Sequence, residues 1–378
     1  MRICLICVEI FAWGKYGGFG RATRTIGREL AKRGVEVFAV VPRRNGQKPM
    51  EELDGITIVS FPAYSLWFSK ELYKTCDADI YHSQEPSMGT YLAMKAMPER
   101  KHIITCRDSR DFQDWKIEYE LPFINRLNVI SNYLYVDNFL VRGAVRRADR
   151  VYCAARFLGP KVKVLYNLKS DPNLLHTPVI IPDKIKKANT PTVCFLARWD
   201  RRKRPEIFFE LARKFPHVEF IGIGKAQDGK WDTYLRNTYS NLPNLEMTGF
   251  IDQFSTNDLS SILEKSWVLV NTSMREGLPV SFLEAAANKC AILSGVDPDG
   301  FASRFGYCAK DDNFVEGLEF LLEDERWEER GEYGYEYIKE TFEMNKAINR
   351  HIDVYEQALG QKPCAPVTGF LTRIDEII

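Results

Sequence analysis

The sequence predicts an α/β protein made of two successive doubly wound halves that face each other across a cleft. Three observations predict it. The chain has 378 residues, too many for one ordinary core. Strand and helix signals alternate through the first half, pause at a proline-containing stretch, and then start again. The strands are short runs rich in Val, Ile and Leu, the composition of a parallel sheet covered on both faces.

The first apolar run, residues 3–8, reads as a strand, and the N-terminal segment is too short for a signal peptide. A loop with Gly14, Gly17, Gly18 and Gly20 follows. Next comes a helix over 23–32, with Ile26, Leu30 and Ala31 on one face and Gly34 as its stop. Strands follow at 35–41, 56–61, 80–82 and 102–106. Residues 122–147 read as one or two long helices, and 151–153 and 162–166 as the last strands of this half.

Residues 168–190 hold Pro172, Pro178 and Pro182, with Pro191 just beyond, and form the interdomain connection. The pattern then restarts. A strand at 192–197 leads through a charged loop, 198–204, into a helix at 205–215 with apolar Ile207, Phe208, Leu211, Ala212 and Phe215. Further strands are expected at 218–223, 245–248, 267–270 and 290–293. The helical pattern at 335–359 has too little apolar surface for a core of its own. The expected units are 1–180, 181–340 and 341–378. A ligand is expected in the crevice between the halves, at the carboxyl ends of the strands.

Composition narrows the function. With 52 basic and 51 acidic residues and 45% hydrophobic content, the chain is a folded protein with no electrostatic drive toward nucleic acid. The nine cysteines show no disulfide framework, and the single Cys4-x-x-Cys7 has no partner pair for zinc. Buried thiols in a reducing cytoplasm account for them. No run approaches the roughly 20 apolar residues of a membrane span. Residues 64–73 read as a core-packing amphipathic helix, with peripheral membrane contact as the alternative.

The chemistry is carried by Glu276-Gly-Leu-Pro-Val-Ser-Phe-Leu-Glu284. Two carboxylates stand eight positions apart across a loop-to-helix junction, directly after the strand 267–271. The helix around Glu284 (Phe282, Leu283, Ala285, Ala286, Ala287) is so apolar that a glutamate there needs a reason. Pro279 suits a first helical turn, and the free amides of that turn form an anion site. At about 1.5 Å per helical residue the carboxylates lie roughly 8–12 Å apart, a span that suits a folded sugar–diphosphate–ribose. Arg198 and Lys203, in the loop after the first strand of the second half, supply cations for a departing diphosphate. Gly17-Gly18 opens a helix and permits close backbone approach to a phosphate or sugar.

Other chemistries fit less well. Gly14-x-x-Gly17-Gly18-x-Gly20 is not the dinucleotide pattern, and no acidic residue closes the second strand at Val40-Val41-Pro42. Asp77-x-Asp79 enters a strand and Asp297-x-Asp299 sits in a Gly/Pro turn, so neither is read as a metal motif. No Gly-x-Ser-x-Gly nucleophile elbow is present.

The Glu276/Glu284 segment resembles the E-x7-E motif of the retaining GT-B glycosyltransferases, in particular family 4, and Arg198-x4-Lys203 resembles the cationic pair of that family. The resemblance implies two Rossmann-like domains, with the C-terminal helix crossing back onto the first. It implies a nucleotide-sugar donor held by the second half: Glu284 on the ribose, Arg198 and Lys203 on the diphosphate, and Glu276 with Gly277, Leu278, Pro279 and Val280 on donor sugar and phosphate. Gly222-Ile-Gly224 resembles the turn near the nucleotide, and the segment with Gly249 and Phe250 the backbone that meets the base. The first half would bind the acceptor, with Gly17-Gly18 reaching the donor across the cleft. Arg107 stands where the family carries a histidine before Asp108, which puts the sugar-side contacts in question. His82 is expected at another cleft-facing place, as a catalytic or a structural histidine.

The implied reaction is front-face transfer from a UDP- or GDP-sugar to a hydroxyl on a lipid carrier, polysaccharide or small molecule. No metal or other cofactor is expected, and the setting is the cytoplasm, with possible peripheral contact at a membrane. Two other classes stay open: a GT-B nucleotide-sugar epimerase, and a binding protein that kept the nucleotide site but lost catalysis, for which Arg107 is the hint.

Overall fold

Two parallel sheets organise the chain. A computed structural model describes residues 1–14, 16–62, 65–122 and 124–360. The first sheet holds β1 (Arg2–Ile6), β2 (Glu36–Pro42), β3 (Met50–Leu53), β4 (Ile56–Phe61), β5 (Ile80–Ser83), β6 (Lys101–Cys106), β7 (Arg150–Cys153) and β8 (Asn173–Leu174). The second holds β9 (Thr192–Leu196), β10 (Glu219–Ile223), β11 (Leu245–Gly249), β12 (Val268–Asn271), β13 (Ala291–Ser294) and β14 (Gly306–Cys308). The strand orders are β3-β4-β2-β1-β5-β6-β7-β8 and β11-β10-β9-β12-β13-β14. Only the β3–β4 pair is antiparallel. In each sheet the order reverses beside the first strand, β1 or β9. The loops leaving these central strands therefore diverge and open a crevice at the carboxyl edge.

The helices of the first half are α1 (Gly18–Lys32), α2 (Ser69–Cys76), α3 (Met88–Ala96), α4 (Phe112–Glu120), α5 (Arg126–Val136), α6 (Phe139–Arg147) and α7 (Leu158–Tyr166). The second half has α8 (Pro205–Lys214), α9 (Gly229–Tyr239), α10 (Asp258–Lys265), α11 (Val280–Ala287), α12 (Phe301–Phe305), α13 (Phe314–Leu322), α14 (Arg326–Thr341) and α15 (Met344–Ala358). Both faces of both sheets are covered, as continuous apolar strands such as Ile3–Ile6 require.

The last two helices split between the halves. In α14, Trp327 stacks on Trp267 at 4.5 Å, and Ile338 is buried in the second core. In α15, Ile348, Val354 and Tyr355 complete the first core beside Ile26 and Leu30 of α1. The crossing back onto the first half is thus present. The expected single helix over 335–359 is instead two, broken at Phe342-Glu343. The Glu343 side chain caps α15 by accepting from the amides of Asn345 and Lys346. At the same place Val179 N–H donates to Phe342 C=O at 2.9 Å, so the two passages of chain between the halves run side by side. Of the 341–378 segment, residues 361–378 lie outside those described.

Three other expectations need correction. Residues 162–166 are the end of helix α7, not a strand. The alternation Lys161, Val162, Lys163, Val164 imitates a strand, yet the buried positions are Leu158, Gly159, Val162 and Tyr166, a helical spacing. Helix α1 begins at Gly18 rather than residue 23, because the second half of the glycine loop is its first turn. Pro279 is the residue before α11, in extended conformation, rather than inside the first turn. In the amphipathic stretch 64–73, Tyr64 lies outside the described residues, Tyr73 is buried in the core, and Trp67 and Phe68 are exposed. Cys4, Cys7, Cys76, Cys106, Cys153, Cys194 and Cys290 are buried free thiols. Among the described residues no helix is long and apolar enough to cross a membrane.

The docking of α15 rests on a polar contact as well as on its apolar face. His82 Nδ1 meets the Tyr355 hydroxyl at 2.8 Å inside the first core. Tyr355→Phe leaves that ring nitrogen without a partner, and urea unfolding is expected to show a loss of about 1–3 kcal/mol.

Candidate active site

The carboxyl edges of the two sheets enclose a cleft of about 950 Å³, the size of a small-molecule site. From the first half it is lined by Gly17, Gly18 and Arg21 at the start of α1, and by Glu85, Arg107 and Asp108 after β5 and β6. From the second half come Arg198 and Lys203 after β9, Gly224 after β10, Phe250 after β11, and Glu276, Gly277, Leu278, Pro279 and Val280 between β12 and α11. Residues far apart in sequence meet here because every loop involved leaves the same edge of its sheet.

At the centre is a part-buried ion pair between Lys203 Nζ and Glu276 Oε1. Lys203 ends a short turn, Arg201–Lys203, whose shape is held by the Thr272 hydroxyl donating to the carbonyls of Lys203 and Arg204 at 2.6 and 2.9 Å. Glu276 Oε1 also accepts from Ser273 Oγ at 2.7 Å. Burial raises the Glu276 pKa, but Lys203 and Arg202 outweigh it, and the carboxyl titrates below its ordinary value. Burial lowers Lys203, with Glu276 opposing. Arg198 stands at the cleft wall with Asp200 at 3.3 Å.

Next to this pair α11 begins; Phe282 N–H turns back to the Pro279 carbonyl at 3.0 Å, and the amides of Val280 and Ser281 before it precede any intrahelical acceptor. The loop before it is pressed against the opposite half. A methyl group on Gly277 would overlap the Arg107 carbonyl oxygen, so only glycine fits. Gly18 also faces the other half, but with room to spare: a methyl there would meet Val280 only at 4.0 Å. Gly17 has no room for a side chain because the Glu9 carboxylate lies against it; that carboxylate accepts from Gly20 N–H at 3.3 Å and so caps α1.

Several expected residues are placed differently. His82 is not cleft-facing. Its ring nitrogens are held by the hydroxyls of Tyr355 and Thr105, each at 2.8 Å, and burial keeps it neutral. Gly222 packs under Phe209 in the second core, and a methyl there would crowd that ring. Gly249 stands one step behind the lining and accepts from Gly224 N–H through its carbonyl at 2.8 Å. The Arg107 guanidinium points away from the donor loop, bound to Gln84 and Thr177 at 2.7 Å each, and burial brings it down to about 10. Glu284 is half-buried on α11, behind the cleft lining, with Arg21 of the opposite half at 3.0 Å. Burial raises its pKa, and Arg21 and Gln253 oppose that. Neither acidic doublet faces the cleft. Asp77 pairs with Arg100 and Asp79 accepts from Arg2 N–H at the amino edge, while Asp297 caps α12 and Asp299 accepts from the amides of Arg156 and Phe157.

Four features were not read from the sequence. Arg275 forms a two-pronged ion pair with Asp108 (2.6 and 3.1 Å) and reaches Asp114 at 3.0 Å. Arg202 adds Glu118 at 3.6 Å. Tyr16 stacks on Phe250 at 4.1 Å, and Phe11 packs on Phe254 at 5.6 Å, bridging the halves with rings. Glu85 accepts from Arg107 N–H at 2.5 Å, Asp108 N–H at 3.0 Å and the Ser109 hydroxyl at 2.8 Å. Adjacency to Glu276 was the one available signal for Arg275; the others depend on contacts across the cleft or between neighbouring loops.

Burial raises the Glu85 carboxyl to about 7 against those hydrogen bonds. An acid with a raised folded pKa binds its proton more tightly when folded. Its contribution to stability is complete below the unfolded value of 4.5 and is lost as pH rises through about 7. Glu85→Gln is expected to flatten that part of the stability curve, measured by urea unfolding across this pH range.

The sequence matches the family description "Glycosyl transferases group 1" over residues 178–339 and "Glycosyltransferase Family 4" over residues 16–179. No curated protein sequence matches it. Solved structures share the fold at low identity. Sucrose-phosphate synthase from Thermosynechococcus elongatus superposes with a TM-score of 0.74 at 16% identity, covering 95% of this chain and 99% of its own. Anabaena HepE in complex with UDP-glucose gives 0.69 at 13% identity, covering 94% and 100%. The catalytic domain of starch synthase IV from Arabidopsis thaliana, bound to ADP and acarbose, gives 0.65 at 10% identity, covering 95% and 99%. With one family description on each half, and Arg198, Lys203 and Glu276 gathered on the cleft between them, the chain belongs to the family 4 type of GT-B glycosyltransferases.

Proposed function

We propose that the protein is a retaining, metal-independent glycosyltransferase that moves a sugar from a nucleoside-diphosphate sugar to a hydroxyl acceptor. In this reading residues 181–340 bind the donor, 1–180 bind the acceptor, and the last segment ties the two together. The observation that carries it is the part-buried Lys203–Glu276 pair beside Arg198 and the start of α11, all on one cleft. A departing diphosphate gains negative charge as the sugar–phosphate bond breaks. Lys203, Arg198 and the first amides of α11 are positioned to meet it without reorganisation. HepE, with UDP-glucose bound, supports a UDP-sugar as donor.

In the proposed step the anomeric carbon–phosphate bond breaks and the acceptor oxygen bonds to that carbon on the same face. The acceptor proton leaves on the departing phosphate. Glu276 orients Lys203 and the donor sugar rather than acting as a nucleophile. Glu284, now held by Arg21, is the residue proposed for the ribose. Closure of the two halves keeps water from the donor.

The reading is tested by NMR of the product anomer made from a panel of UDP- and GDP-sugars, with and without EDTA. A retained configuration and an EDTA-insensitive rate are expected; an inverted product would overturn it. Lys203→Met is expected to lower kcat by roughly 100- to 1000-fold. Gly277→Ala, which pushes the donor loop off the Arg107 carbonyl, is expected to lower kcat/KM on the order of 100-fold and to lower the melting temperature as well, read by a thermal melt.

A further inference from the structure

Helix α5 lacks the burial that ordinarily holds a helix of its length. Of residues 126–136 only Val129 is buried. An isolated helix this short is marginal in water, and helices inside domains are held by packing of an apolar face. The apolar face of α5 points outward instead. Leu127, Ile130 and Leu134, at helical spacing, are 75%, 43% and 56% exposed, and Phe139 at the start of α6 extends the ridge at 79%. On another face of the same helix, Asn128 and Asn132 line the cleft. Its anchors are few: Tyr133 meets Trp115 edge-on at 5.6 Å, and Arg126 lies over Tyr119 at 5.1 Å.

Charge and position say what covers this ridge. Between Leu121 and Val141 the only charged residues are Arg126 and Asp137. Asp137 is buried and paired with Arg142 at 2.7 Å. Little charge has to be desolvated, so apolar burial alone can drive contact with the boundary between lipid headgroups and acyl chains. A second apolar element leaves the same carboxyl edge of the first sheet: the turn Leu66–Phe68 after β4, with Trp67 and Phe68 exposed. The ridge also borders the cleft itself. A protein partner seated there would crowd the entrance, whereas a bilayer would bring lipid-borne hydroxyls to it.

We infer that the α5 ridge seats on a lipid bilayer, and that the acceptor is a saccharide carried on a lipid in that bilayer. The asparagine face of α5 receives the sugar hydroxyls while the leucine face rests in the membrane. This rests on the glycosyltransferase reading and deepens it by naming the acceptor class.

Flotation with vesicles of pure phosphatidylcholine tests the surface. Binding is expected to persist in about 0.5 M NaCl, where exposed charges are screened beyond roughly 5 Å. The double change Leu127→Asp and Leu134→Asp is expected to cut the bound fraction roughly ten-fold or more, with the melting temperature and donor hydrolysis in water unchanged. Leu127→Trp, which keeps the apolar face, is expected to bind at least as well as the parent. Turnover of the donor is expected to rise more with dialkyl glycosides embedded in the vesicles than with the same glycosides free in water. The inference is overturned if the parent stays off the vesicles, if the double variant floats equally well, or if that variant instead turns a dimer into a monomer. Equal turnover with embedded and free glycosides would overturn the acceptor assignment alone. Absence of any donor turnover in the parent would count against the glycosyltransferase reading and leave the flotation result standing.

Discussion

The desolvated guanidinium of Arg275 is the interaction on which the relation between the two halves depends. Only 6% of its side chain is exposed, and three carboxylates of the opposite half, those of Asp108, Asp114 and Glu118, surround it. Burial lowers its pKa, yet the acids outweigh that and leave it raised. Burial likewise raises Asp108, and Arg275 and Arg110 overcome it. A buried charge of this kind is tolerable only while its partners stay in place. Arg275 directly precedes Glu276, so approach of the halves and alignment of the central carboxylate are mechanically one event.

The same closure explains the small residues and the rings at the cleft. Gly277 is glycine because the Arg107 carbonyl rests on it. Gly17 is glycine because Glu9 folds back to cap α1. The stacked Tyr16 and Phe250 bridge the halves at one end, and Asp299 caps the start of α7 from the other half. Aromatic stacking and charge-assisted hydrogen bonds tolerate reopening better than a packed aliphatic core. That suits a protein whose site lies between its domains and whose substrates must enter and leave.

Much of this was legible in the sequence wherever the signal is local. Most strands of both sheets are apolar runs that fall within a residue or two of their expected places, but the edge strands β3, β8 and β14, which are short and carry no apolar run, were not read. The cleft residues Arg198, Lys203 and Glu276 were found because their spacings resemble the family's motifs, and their loops follow central strands of a doubly wound sheet. Residues 162–166 were misread because two valines alternating with lysines satisfy a strand pattern as well as a helix pattern over so short a span. The cleft position of His82 was misread because its partner, Tyr355, is far away in sequence and reaches it only when α15 crosses back.

The sequence by itself determined two doubly wound halves, the loop-to-helix junction with its two carboxylates, and the cationic loop of the same half. Each of these depends on residues within about one turn or one strand of each other. Only the tertiary structure decided that Arg107 turns into the protein and that Glu284 meets Arg21. It also decided that Arg275 is caged by acids and that α5 shows leucine to solvent and asparagine to the cleft. Those outcomes are set by which surfaces meet when the halves close, a long-range property that no hydrophobic period or motif spacing encodes.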